Sequence, residues 1–153
     1  MTQLDKALND AYYNLVGNDL GGKTWVFDGE AGDGTVWWAM ASDVDYSSIW
    51  WNATNDYVLP DDVNGKMYFD VAGGANYDYY ASEDAEPVRG SFVFNGTFTT
   101  LSFPSGVNIL GSSNSLSCGP TTYEIIELTE DRLVLYASAV DNGTGWIWAF
   151  RPE

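Results

Sequence analysis

A chain of 153 residues with 6 Lys+Arg, 22 Asp+Glu and no His carries a formal charge of −16, and a field of that sign repels nucleic acid and anionic membrane surfaces. The absence of histidine removes the usual general base, the commonest transition-metal ligand and the base of any Ser or Cys nucleophile pair, so a conventional hydrolase triad is excluded. The length fits a single domain over 1–153, large enough to bury roughly two-thirds of the surface its unfolded form exposes.

Aromatics at 16% and 16 glycines, with Thr, Val and Ile in short runs bounded by Gly, Asn, Asp and Ser, point to strands and turns. The one cysteine, Cys118, can form no internal disulfide. Ser117, Gly119 and Pro120 beside it offer no cation to lower its pKa, which reads as an inert buried thiol. No stretch is long and apolar enough to span a bilayer, and the first residues lack the basic and apolar regions of a signal peptide. Either the protein is intracellular or, the leading expectation, it is exported and these residues follow a removed export signal or an upstream domain, with Met1 an added start.

In chain order, Thr2 to Val16 is the one helix candidate. Leu4, Leu8, Tyr12 and Leu15, with Ala7 and Ala11, recur at the spacing of one apolar stripe. Thr2 with Asp5 imitates a capping box and Gly17 supplies a stop. The β-domain, about 22–151, begins after the turn Asn18 to Lys23. Its first strand, Thr24 to Asp28, places Trp25 and Phe27 on one face.

Asp28 to Gly34, DGEAGDG, brings Asp28, Glu30 and Asp33 together with three glycines, oxygen-ligand chemistry that would suit calcium. The spacing is not that of an EF-hand, because the fifth loop position is Gly32 and the twelfth Ala39. A solvated acidic loop is the alternative, and no metal or other cofactor is required.

The next stretch carries two tryptophan pairs, Trp37-Trp38 and Trp50-Trp51. Neighbouring side chains on a strand point to opposite faces. A strand over Val36 to Met40 therefore turns one indole of the first pair outward. An outward indole gives a flat apolar face and one N–H donor, a device for stacking a sugar ring. Asp43, Asp45, Asn52 and Asn55 could accept hydrogen bonds from sugar hydroxyls, with Tyr57 or Tyr80 adding aromatic surface. The bland alternative is that the loop after Met40 covers the outer ring.

Beyond Asn64-Gly65, period-two patterns dominate. Met67, Phe69 and Val71 share a face, as do Tyr77, Tyr79 and Ala81, with a turn at Gly73-Gly74. Phe92 and Phe94 align, Asn95-Gly96 is a two-residue turn signal, and Leu101 and Phe103 follow. Thr122 to Ala137 reads as a tight hairpin about Thr129 to Arg132, with Leu128, Leu133 and Leu135 facing the core. Trp146, Trp148 and Phe150 close the chain on one inward face. The count is about eight to nine strands, mostly up-and-down, which fits an antiparallel β-barrel or β-sandwich, lipocalin-like or jelly-roll-like, with one short N-terminal helix.

The segments GGKTWVFDGE, the WW pair, YEIIELTEDRLVLYA and WIWAFRP, together about half the chain, resemble the small all-β domains of Bacteroidetes-type cell-surface glycan-uptake lipoproteins, often found with PKD modules. That resemblance implies export to the outer-membrane surface or periplasm. It also implies membrane contact only through a lipid anchor beyond these residues, and carbohydrate binding without catalysis. Gly22-Lys23-Thr24-Trp25 and Arg151 are similar to the Gly-x-Trp strand and closing Arg of lipocalin-like barrels, with one residue too many before the Trp. This implies a structural Trp25.

A non-catalytic domain binding a polysaccharide or oligosaccharide as a monomer is therefore the leading functional expectation. A lipocalin-like carrier or a purely structural domain is the alternative. A glycoside hydrolase comes third, since it needs two positioned carboxylates and Glu83-Asp84-Ala85-Glu86 reads as a loop ending at Pro87 with the wrong spacing for a catalytic strand.

Overall fold

The computed structural model describes residues 3–28, 38–53, 62–111, 122–141 and 144–153. Helix α1, Gln3–Val16, stops at Gly17, which takes a positive φ of 104° and donates its N–H to the Tyr13 carbonyl at 3.0 Å. Only a residue without a Cβ makes that left-handed step cheaply. Ala11, Leu15 and Val16 form the buried face, with Tyr12 packed beside them. The expected stripe is thus corrected at Leu8, which remains 38% exposed.

Eleven strands follow: β1 Lys23–Phe27, β2 Trp38–Ala41, β3 Ile49–Ala53, β4 Lys66–Asp70, β5 Asn76–Tyr80, β6 Val88–Ser91, β7 Val93–Phe94, β8 Thr100–Ser102, β9 Thr122–Leu128, β10 Leu133–Asp141 and β11 Thr144–Pro152. Nine of them pair in the order β6-β5-β4-β1-β11-β10-β9-β8-β7, every pairing antiparallel. The two edge strands, β6 and β7, are separated in the chain by Phe92 alone. The ends of the sheet therefore lie side by side, and the sheet is nearly closed into a barrel. Closure leaves few unpaired backbone groups open to another chain.

Strand β11 is long enough to serve two neighbours on one edge. Its Phe150 to Pro152 portion pairs with β1 and its Gly145 to Trp148 portion with β2. The Asp28 N–H reaches the Ala149 carbonyl at 3.0 Å, while Trp38 stands opposite Trp148. Strands β1 and β2 thus lie end to end along β11. Strand β3 continues the wall beside β2, as β4 does beside β1.

The interior is a ladder of rings. Tyr12, Phe94, Phe92, Phe69, Tyr77, Phe103, Tyr123, Trp148 and Trp146 meet in succession at centroid separations of 4.6–6.4 Å. Edge-to-face and offset contacts of this kind add to the burial of large apolar surface. Trp25 closes the helix end: it is fully buried, its indole N–H donates to the Leu15 carbonyl at 3.0 Å, and the Lys23 ammonium lies 4.5 Å from its ring centre. The structural role implied for Trp25 is what the packing provides, with Lys23 as a cation over the ring. Arg151 lies within β11, opposite Val26.

The other end is tied by Asp62, which is 2% exposed. Its carboxylate accepts the Tyr79 hydroxyl at 2.6 Å and the Gly111 N–H at 3.0 Å, while its carbonyl accepts the Gly65 N–H at 2.8 Å. Three chain segments meet on this one side chain. The expected two-residue turn at Asn95-Gly96 is longer than that. Phe98 carries the positive φ of 58°, and the Asn95 side chain satisfies the Thr99 and Thr100 N–H groups at 2.8 and 3.1 Å. An amide that mimics backbone lets the loop lengthen.

Candidate functional site

The outer face of the wall β3-β2-β11-β10-β9 carries a second apolar cluster, separate from the interior. Ala39, Ala41, Val134, Tyr136, Ile147 and Ala149 are buried there, with Ile49 and Ile126 packed against them. Three of these positions are alanine. Gly145 lies on the same wall, and a Cβ there would come within 2.5 Å of the Tyr136 ring. Small residues leave a shallow trough, and the Tyr136 ring lies over the glycine.

Residues 42–48 fold back over this trough. Asp45 caps the short 3-10 helix Tyr46–Ser48, accepting the Ser47 N–H at 2.9 Å. That bond favours the charged carboxylate and holds its pKa below the usual range. Asp43 accepts the Val44 N–H at 2.7 Å, and the Ser48 hydroxyl donates to the Asp43 and Asp45 carbonyls at 2.8 and 2.7 Å. The Tyr46 hydroxyl donates to Glu127 Oε2 at 2.7 Å. Glu127 lies on β9, three strands from the β2 end that launches the loop, so the loop crosses about 14 Å of sheet at ordinary strand spacing. Arg132 completes the chain, with Nε 3.6 Å from Glu127 Oε2 and Nη1 3.0 Å from Asp28 Oδ2.

These contacts shift the phenols. Partial burial, and then the Glu127 carboxylate, push Tyr46 up to about 12. Burial, followed by the negative charges of Asp43 and Glu124, raises Tyr136. Both remain neutral donors across the physiological range.

Trp50 stands at the edge of this face and is 59% exposed. Its position comes from a β-bulge: Met40 pairs with Trp51 and Ala41 with Ile49, leaving Trp50 as the extra residue. Trp51 packs half-buried against the interior cluster, whereas Ile49 joins the outer one. The two indoles of this pair differ in exposure, and plain alternation is not the cause. Two residues apart, Ile49 and Trp51 would share a face without the bulge.

The remaining sequence-derived site residues are scattered. Asp43 and Asp45 lie exposed on the loop beside Tyr46. Trp38 opens β2 opposite Ala53 and Trp148, and Asn52 sits in β3 opposite Ala39. Tyr80 lies elsewhere, on β5 with the Lys66 ammonium 5.2 Å from its ring centre. Trp37, Asn55, Tyr57, Glu30 and Asp33 lie outside the described residues. Asp28, the remaining acid of the candidate calcium loop, is engaged by Arg132, and among the described residues no group of three His, Cys, Asp or Glu side chains converges as a metal site would need.

Tyr46, Tyr136, Glu127 and Arg132 were missed by sequence reasoning. One signal was present: Glu124 and Glu127 are three apart in a strand and both face outward, opposite Tyr136 and Val134. Such spacing is possible only with a bulge, here at Ile126. Chemically, the face offers an exposed indole and a half-exposed phenol. Two carboxylates, Asp28 and Glu127, pair with the Arg132 guanidinium, while Asp43 and Glu124 lie close enough to Tyr136 to raise its phenol. No protein-family model matches the chain, and no curated protein matches it.

Proposed function

We propose that this chain is a non-catalytic glycan-binding domain that stacks a sugar ring on Trp50 and orients it with polar groups of the 42–48 loop. The observation that carries the reading is the 59% exposure of the Trp50 indole on a bulge. A large apolar ring held out to solvent by the backbone of a strand costs hydration and gives nothing to the core. Asp43 and Asp45 each accept a loop N–H and, being exposed, can accept further bonds from sugar hydroxyls. Charge-assisted bonds of this type fix orientation while the ring face supplies the contact area.

A neutral ligand suits the acidic surface, which repels polyanions. The contact among the interior rings favours a filled barrel over a hollow carrier. Export as a surface lipoprotein belongs to the same proposal and agrees with a glycan ligand. The test is affinity electrophoresis through gels containing neutral polysaccharides, with and without calcium. Retardation of the wild-type chain that disappears in Trp50→Ala supports the proposal, whereas equal mobility in every gel refutes it.

A further inference from the structure

A second concave site lies between the helix, the turn before β1 and the end of β4. It is a groove of about 270 Å³ lined by Leu8, Asn9, Tyr12, Tyr13, Leu20 and Val71. Leu8, Tyr13 and Leu20 are 38%, 39% and 38% exposed, so three large side chains that could have been polar present carbon to solvent around one hollow. Leu20 is held at a φ of 58°, a left-handed conformation that costs leucine energy and glycine none. Two glycines, Gly21 and Gly22, follow it immediately, yet the leucine occupies the strained position. Its backbone is fixed there by a hydrogen bond from its N–H to the Gly17 carbonyl at 2.9 Å.

None of the six lining residues is charged. Asp10, Asp19 and Asp70 stand next in sequence to Asn9, Leu20 and Val71. Asp19 and Asp70 turn one oxygen to local N–H groups, and Asp10 and Asp19 are exposed. Lys23, the nearest cation after the turn, directs its ammonium to the Asn14 and Glu130 carbonyls. The geometry points to a docking site for a basic segment of a partner protein, one large apolar side chain entering the groove while flanking Lys or Arg residues meet the three aspartates. An apolar anchor within a rim of opposite charge is the arrangement that gives both affinity and steering. This inference is independent of the glycan proposal.

The probe is a synthetic pentapeptide, one leucine between two pairs of lysines with blocked ends, titrated into the isotope-labelled chain by NMR. Shifts confined to amides 8–13, 19–22 and 70–72 are expected. They should weaken when the central leucine is replaced by serine and again when salt is raised. In the chain, Leu20→Gly should raise the thermal midpoint, since the strain is relieved, while weakening the peptide about tenfold. Leu8→Ser should weaken it with little change in fold. Equal shifts with the serine peptide would overturn the inference, because they would mark charge attraction alone. So would wild-type affinity in both variants, or a lower midpoint for Leu20→Gly, which would mean the leucine is kept for packing.

Discussion

Replacing Asp62 by Ala strands two buried donors at once. The Tyr79 hydroxyl loses its acceptor at 2.6 Å and the Gly111 N–H loses both carboxylate oxygens at 3.0 Å. An unsatisfied buried donor costs about 1–3 kcal/mol, so two of them cost about 2–6 kcal/mol. Removing the buried charge returns part of its desolvation penalty, which places the expected loss near the middle of that range. With an m of roughly 2 kcal/mol/M in urea, the unfolding midpoint should fall by about 1–3 M. Urea unfolding followed by tryptophan fluorescence measures this directly, since Trp148 lies against Gly111. Tyr79→Phe alone should cost about 1–3 kcal/mol, and the double variant should lose less than the sum, because the two share one bond. A midpoint within experimental error of wild type for Asp62→Ala, or strict additivity in the double variant, would refute the reasoning.

Gly111→Ala forces a Cβ to within 2.8–3.0 Å of Trp148 and Phe27 at a φ of 87°; backbone strain and overpacking should together cost about 2–4 kcal/mol, read as a lower thermal midpoint. Trp148→Ala removes a fully packed indole and should cost about 3–5 kcal/mol, against at most about 2 kcal/mol for the exposed Trp50→Ala, compared by calorimetry. At alkaline pH the sign follows from the phenols. Tyr46 is pushed up to about 12, and burial raises Tyr77 and Tyr136 as well. Their contribution is intact below the free phenol value near 10 and is lost as pH rises through the folded values. Stability should therefore decline above pH 10 or so, and Tyr46→Phe should shallow that decline in a pH series of urea midpoints.

Much of the barrel was legible because alternation is a local property. Met67 with Phe69, Tyr77 with Tyr79, and Trp146 with Trp148 and Phe150 each fall inward as period two requires. The hairpin at Thr129 to Arg132 closes with the Thr129 N–H on the Arg132 carbonyl at 2.8 Å. What escaped is non-local. Closure depends on Phe92 joining two edge strands, one of them only two residues long. The end-to-end seating of β1 and β2 depends on the length of β11, which no feature of either short strand announces. The helix stripe failed at Leu8, where a groove takes the place of a core contact.

The outer face was half legible. Asp43 and Asp45 marked the loop, but the stretch leading to Trp50 and Trp51 reads as loop-like after Met40, whereas Ile49–Ala53 is a strand, and a bulge changes the phase of a strand without changing its composition. Tyr46 and Arg132 belong to the face through partners 81 residues away in one case and across the sheet in the other. Ladders of hydrogen bonds decide those neighbours, and spacing along the chain does not carry them.

The most direct measurement is a ¹H–¹⁵N spectrum of the seven indole N–H groups during titration with an oligosaccharide cut from a polysaccharide that retards the chain. Trp50→Phe assigns one resonance. If the exposed indole is the sugar contact, that resonance moves first and furthest while the buried Trp25 and Trp148 signals hold still. A stationary Trp50 signal, with the ligand bound and other resonances shifting, would contradict the account.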